Sequence, residues 1–72
     1  MDRKEFVLKS DYIELNKLLK LLRIAQSGAH AKLMIEQREV RVNNTIESRK
    51  RAKLKQGDIV RVKESEITII KE

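Results

Sequence analysis

The sequence predicts an α+β domain in which a two-helix hairpin packs on a small, mainly antiparallel sheet of three to five strands. Three observations indicate this class: an apolar repeat of helical period, later segments that alternate or are β-branched, and turn residues between them. At 72 residues the chain can bury one modest core. It has no proline, repeat or low-complexity segment to mark a linker, so we expect a single domain over residues 1–72. We expect a short strand near each end of this domain.

The first elements are a strand and two helices. Residues 5–9, EFVLK, combine β-favouring side chains with polar flanks, which predicts a short edge strand. From residue 15 the apolar spacing becomes i, i+3, i+4, i+7, typical of one helix face, and the residues are Leu15, Leu18, Leu19 and Leu22. Ser27 is a good N-cap for a second helix at about residues 28–37. The apolar stripe of this helix is Ala31, Met34 and Ile35.

The second half carries strand and turn signals. Residues 40–42, VRV, alternate in polarity, and Asn43 and Asn44 tolerate the positive φ of a tight turn before Thr45 and Ile46. Residues 58–63, DIVRVK, predict a strand after a turn at Gly57. The β-branched residues 67–70, ITII, predict its partner across a turn at residues 64–66.

Positive charge is concentrated in the middle of the chain. The net charge is +6 and the isoelectric point about 9.9, which indicates a partner carrying phosphates. Residues 25–57 hold eight Lys or Arg against three acids, and five of these cations fall in the seven residues from Arg49 to Lys55, the basic run. Leu54 is the one large apolar residue in this run, so we expect it to turn inward and hold the cations on a fixed backbone. Charge alone does not choose between RNA, DNA and an anionic membrane.

Several function classes find no support in the residues. No window approaches the roughly 20 apolar residues of a membrane-spanning helix, and the start has no apolar signal core, which predicts a soluble cytoplasmic protein. With no Cys, one His, no Gly-rich phosphate loop and no acidic pair of recognisable spacing, we predict no enzyme activity, metal, cofactor or small-molecule substrate. The two aromatics, Phe6 and Tyr12, are too few for a platform that stacks single strands, and we expect Tyr12 to be a lid on the core.

The order of motifs resembles a known family. A leucine-rich first helix, a Ser-containing turn, a second helix with paired aliphatics, the strand Val40-Arg41-Val42-Asn43 and the turn Gly57-Asp58-Ile59-Val60 follow one another over about fifty residues. This order is similar to the RNA-binding domain named after small-subunit ribosomal protein S-four, whose two-helix, loop and strand unit is called the alpha-L motif. The family often has Arg where this chain has Glu14 and Gly28. The combination of S-G-A-x-A-K with E-x-R-K-R-x-K-L instead resembles a small stand-alone bacterial subgroup in which the basic run is a hallmark.

The resemblance implies a function and a set of candidate residues. It covers about residues 14–62, and it implies non-catalytic binding of structured RNA, either ribosomal RNA or tRNA, in association with the ribosome, in ribosome assembly or translation quality control. We expect the protein to be a monomer. The candidate RNA-binding residues are Lys17, Lys20, Ser27, Lys32, Arg41, Asn43, Arg49, Lys50, Arg51 and Lys53. Ser27 is also explained as an N-cap and Asn43 as a turn residue, and Arg41 could face RNA or bulk water.

The residues alone leave other interpretations of the basic run open. It could be a solvated loop. The chain could also be a DNA-associated protein, or an adaptor whose cations meet an acidic protein. Duplex RNA differs from duplex DNA in its A-form groove and 2′-hydroxyls, so competition between the two duplexes would distinguish an RNA-binding protein from a DNA-associated one.

Overall fold

The computed structural model describes residues 2–72, so only Met1 of the predicted domain lies outside it. The described elements follow the predicted α+β order, and the fold class is confirmed. In chain order they are β1 (Asp2–Leu8), β2 (Ile13–Glu14), α1 (Leu15–Leu21), α2 (Gly28–Glu36), β3 (Val40–Val42), β4 (Thr45–Ile46), β5 (Lys53–Leu54), β6 (Ile59–Val62) and β7 (Ser65–Lys71). Neither α1 nor α2 is long and apolar enough to cross a membrane.

The main sheet has five strands in the order β1-β7-β6-β3-β4. Its pairs are antiparallel except for β1 and β7, which run parallel with Phe6 beside Ile69. A separate antiparallel ladder joins β2 to β5. This ladder was not predicted, because two residues per strand are too few to show an alternating pattern.

The helices cover one face of the main sheet. The buried cluster combines residues of both helices with inward residues of β1, β3, β6 and β7, and these are Leu8, Leu15, Leu18, Leu19, Ala31, Met34, Ile35, Val40, Val60, Val62, Ile67 and Ile69. We call the opposite surface the outer face. One cross-strand row on this face reads Arg3, Glu66, Arg61, Arg41 and Ile46. The alternation of the strands therefore separates an apolar face from a charged one.

Both helices end at an arginine with positive φ. The chain leaves α1 through Arg23, with φ 60°, and leaves α2 through Arg38, with φ 61°. Around Arg23 the backbone N–H of Ile24 donates to the carbonyl of Leu19 at 3.0 Å, and that of Arg23 donates to Lys20 at 3.1 Å, which is the Schellman pattern. Leu22 was predicted on the helix face, but α1 ends before it and leaves it half-buried at the C-cap.

Two tight turns order the strands of the sheet. Asn43 and Asn44 have φ values of 52° and 70°, as the predicted turn between β3 and β4 requires. The turn between β6 and β7 lies one residue earlier than predicted. It uses Lys63 and Glu64, because Ser65 already pairs with Val62 in the ladder.

Candidate nucleic-acid interface

Two buried side chains anchor the basic run. Ala52 is 7% exposed and Leu54 is 1% exposed, and both belong to the core cluster. Leu54 pairs with Ile13 in the ladder between β5 and β2. The prediction that Leu54 turns inward is therefore confirmed, and the run is anchored to the core at two positions.

The backbone of the run also caps the first helix. Glu14, the N-cap residue of α1, makes no side-chain capping hydrogen bond. Instead the N–H of Leu15 donates to the carbonyl of Ala52, and the N–H of Asn16 donates to the carbonyl of Lys50, both at 2.9 Å. Because the first N–H groups of a helix need acceptors from outside it, these bonds stabilise α1 and the run together.

The cations of the run surround a shallow depression of about 390 Å³. Its lining residues are Arg49, Arg51, Ala52, Lys53 and Lys55. Ala52 and Leu54 turn inward, and the cationic residues on either side of them remain on the surface, where all are exposed. The depression is therefore lined by four cations and Ala52, and its positive charge suits a phosphate group.

Arg49 is engaged within the chain. Its Nε lies 3.1 Å from Oε2 of Glu47, its Nη2 lies 3.2 Å from Oε1, and its backbone N–H donates to Oε2 at 3.0 Å. The hydrogen bond from the Arg49 side chain lowers the pKa of the Glu47 carboxyl below its ordinary value. A carboxylate thus occupies the guanidinium fork that could otherwise grip a phosphate bidentately.

Asn43 ties the end of the run to the sheet. Its Nδ2 donates to Oδ1 of Asp58 at 3.0 Å, and its Oδ1 accepts from the N–H of Ile59 at 2.9 Å. The other oxygen of Asp58 accepts from the N–H of Lys55 at 2.8 Å. The Asn43 amide thus binds the turn between β3 and β4 to the start of β6, which is a structural role.

The candidate residues on the two helices are placed differently relative to the run. Lys17 and Lys20 are exposed on α1, and Lys17 directly follows Asn16, which is hydrogen-bonded to Lys50. Lys32 is exposed on α2, beside buried Ala31. The structure therefore places Lys17 one residue from a backbone contact with the run, whereas Lys32 belongs to the other helix.

Ser27 acts as the predicted N-cap of α2. Its Oγ accepts from the N–H of His30 at 3.1 Å. The His30 ring contributes to the same helix start, since Nδ1 accepts from the N–H of Gln26 at 3.0 Å. Within residues 2–72, no three side chains of the His, Cys, Asp or Glu types come together as a metal site would require.

Arg41 lies on the outer face, away from the helices. Its cross-strand neighbour is Arg61, whose Nη2 lies 3.4 Å from Oε2 of Glu66. That oxygen is buried, and no side chain of the described chain gives it a hydrogen bond of good geometry. Glu66 therefore balances part of the positive charge on this face, and the sheet separates Arg41 from the candidates on the helices.

Tyr12 was predicted as a lid on the core, and this prediction is wrong. The residue is 40% exposed, and Nζ of Lys53 lies 4.9 Å from the centroid of its ring. Ile13 takes the inward position opposite Leu54, so the alternation of an extended chain turns Tyr12 outward. The position next to a buried β-branched residue was the signal that could have shown this.

Comparison with known proteins agrees with the resemblance that the motifs carry. A family model described as "S4 domain" matches residues 6–70. A protein of Escherichia coli (strain K12), named "Putative RNA-binding protein YbcJ", is 42% identical over 52 residues, which cover 72% of this chain and 74% of that protein. The Shigella flexneri "Uncharacterized protein YbcJ" has the same identity and coverage.

A solved structure matches the fold as well. The solution structure of YbcJ from E. coli has a TM-score of 0.70 and 36% identity, over 92% of this chain and 85% of that one. That structure is described as revealing an alpha-L motif involved in RNA binding. The predicted resemblance, with its helical hairpin on a sheet, is thus confirmed by sequence and by fold.

Proposed function

Because this chain belongs to the S4 domain family, we propose that it is a non-catalytic protein that clamps structured RNA through the basic run. The observation that carries the proposal is the anchoring of the run. Ala52 and Leu54 are buried and the backbone caps α1, so the cations stand on a fixed support. Ordering them on a phosphate backbone then costs less conformational entropy than ordering a free loop.

The phosphates would supply most of the affinity. Lys50, Arg51, Lys53 and Lys55 are exposed and rim or adjoin the depression, and Lys17 extends the surface along α1. With about five phosphate contacts, the logarithm of the binding constant should fall with the logarithm of salt with a slope of roughly −4 to −5 on duplex-like nucleic acid. Such contacts fix the position of the protein and read little sequence.

The bound RNA that we propose is structured RNA of the translation machinery. The named relative carries RNA binding in its name, and the solved relative is described by an RNA-binding motif. We take ribosomal RNA or tRNA in the cytoplasm as the bound RNA, and ribosome assembly or translation quality control as the process. Ultraviolet crosslinking in the native cells with sequencing of the bound RNA would identify it.

A matched pair of variants tests the role of the run. The first variant changes Lys50, Arg51 and Lys53 to Gln, and the second changes Arg3, Lys4 and Lys63 to Gln. Both lose one Arg and two Lys, and all six residues are exposed. The second set lies at the start of β1 and in the turn before β7, whereas Gly57, just past the run, contacts Ile69 near the other end of β7.

The two variants should differ strongly in RNA binding. In fluorescence anisotropy with a labelled RNA hairpin, the run variant should lose at least about tenfold in affinity and two to three units of salt slope. The distal variant should keep most of both. Equal losses would mean that net charge alone binds RNA, and no binding by the wild type would overturn the proposal. Equal competition by duplex DNA or by polyglutamate would favour the DNA-associated or adaptor function instead.

A further inference from the structure

Tyr12 is the exposed aromatic residue of the described chain, and it lies beside the basic run. The sequence holds one Tyr and one Phe, and Phe6 packs against the core. Tyr12 immediately precedes β2, which pairs with β5 of the run. The hydroxyl of Ser10 donates to the Tyr12 carbonyl at 3.0 Å, which helps to hold this corner of the backbone. The chain therefore presents a supported aromatic ring next to its densest positive charge.

Lys53 connects this ring to the depression. Its Nζ lies 4.9 Å from the Tyr12 ring centroid, and the same side chain lines the depression with Arg49, Arg51 and Lys55. A cation above a tyrosine face is attracted by the ring quadrupole. An aromatic face and an ammonium group so close together match the two parts of a nucleotide, its flat base and its phosphate.

We infer that Tyr12 and Lys53 form a subsite for one unpaired nucleotide of the bound RNA. Lys53 lies over one face of the ring, so the base would stack on the opposite face, and the phosphate would lie against the ammonium group at the edge of the depression. A base inside a duplex is already stacked on its neighbours, so only a bulged, looped or terminal base can use this ring. The inference rests on the proposed function and sharpens it: the preferred target is a helix with an unpaired nucleotide beside it.

Stacking and phosphate binding leave different signatures. Base stacking on an aromatic side chain depends weakly on salt, whereas each lost phosphate contact lowers the salt slope by roughly one unit on duplex-like nucleic acid. Tyr12→Ala should therefore lower the affinity for an RNA with an unpaired base without changing the salt slope. Lys53→Gln should lower the slope on every RNA, and Tyr12→Phe should keep the stacking surface.

The test uses two RNA hairpins that differ by a single bulged nucleotide. The wild-type chain should bind the bulged hairpin about five- to a hundredfold more tightly than the fully paired one. Tyr12→Ala should bind both equally, with its affinity for the paired hairpin and its salt slope unchanged, and Tyr12→Phe should retain the preference. Because the sequence has one Tyr and no Trp, intrinsic emission reports on Tyr12 alone, and the bulged hairpin should quench it more than the paired one.

The possible failures are distinguishable. If the wild type binds both hairpins equally, or if Tyr12→Ala keeps the preference, the subsite is wrong while the clamp through the basic run stands. Loss of the preference in Tyr12→Phe would point to the hydroxyl group and would also overturn stacking. If the wild type binds neither hairpin, the proposed function fails and the subsite fails with it.

Discussion

The basic run and the outer face of the sheet both expose arginines, but they differ in what lies beneath and beside the charges. Under the run lie the buried Ala52 and Leu54, and the cations of the run other than Arg49 have no carboxylate within ion-pair distance among the described residues. On the outer face the one acid of the row, Glu66, lies between Arg3 and Arg61. The run is thus a surface of uncompensated charge on a fixed backbone, while the outer face is partly neutralised.

This difference indicates that charge density alone does not define a binding surface. An exposed ion pair contributes little to stability, but it lowers the local potential that attracts a phosphate. The run keeps that potential and holds it in place through core contacts and helix capping. The comparison leads to predictions that test the buried anchor Leu54, the hydrogen bonds of Asn43, and the ion pairs of Glu47 and Glu66.

The largest effect should come from the anchor of the run. Leu54→Ala removes a side chain that is 1% exposed and leaves a cavity, so we expect the free energy of unfolding to fall by about 2–4 kcal/mol. Ile46→Ala on the outer face, where the side chain is 41% exposed, should cost below about 1 kcal/mol. Urea unfolding followed by circular dichroism measures both. Equal costs would mean that the run is no better anchored than the outer face.

The next largest effect on the free energy of unfolding should come from the hydrogen bonds of Asn43. Asn43→Ala removes two side-chain hydrogen bonds and places a Cβ-bearing residue without a polar group at φ 52°, so we expect a loss of about 2 kcal/mol. Asn43→Gly tolerates that φ and should lose only about 1 kcal/mol. The same unfolding titration compares the two variants.

RNA binding by the glycine variant separates the two roles of Asn43. If the residue acts through the turn, a folded Asn43→Gly protein should bind RNA with nearly the wild-type affinity. A large loss of affinity in the folded variant would show that the amide contacts RNA directly, as the family resemblance allows.

The sequence predicted much of the fold because its strongest signals are periodic. The leucines of α1, the Ser27 cap and the Asn43-Asn44 turn each carry local information that tertiary packing did not override. The two-stranded ladder was missed because Lys53 and Leu54 form a strand only when Ile13 and Glu14 lie beside them. Long-range pairing of such short segments leaves no periodicity to detect.

The candidate site was predictable as a charge cluster, but its arrangement was not. The sequence singled out the run and the inward turn of Leu54. It could not show that the Glu47 carboxylate binds the Arg49 guanidinium, or that the sheet separates Arg41 from the helices. Each of these depends on which side of an element faces the core, and that choice is made by contacts with distant segments.

The smallest effect concerns the carboxylates that pair with arginine on each surface. Glu47→Gln releases Arg49 beside the depression, and Glu66→Gln weakens the pair with Arg61 on the outer face. Both variants raise the net charge by one. If the run binds RNA, Glu47→Gln should raise RNA affinity by about two- to fivefold, since an exposed ion pair competes only weakly with a phosphate. Glu66→Gln should change it less, and anisotropy with the same hairpin measures both.

The lowered pKa of Glu47 determines how Arg49 can be released from its ion pair with Glu47 in the wild-type protein. A carboxyl with a depressed folded pKa stabilises the fold above its unfolded pKa, and this contribution is lost only as the pH falls through the lower, folded value. Across the neutral range Glu47 therefore stays ionised, and only a competing anion such as an RNA phosphate can displace it. The affinity ratio between Glu47→Gln and the wild type should accordingly stay constant at neutral pH. A ratio that changed there would show that another titrating group controls Arg49.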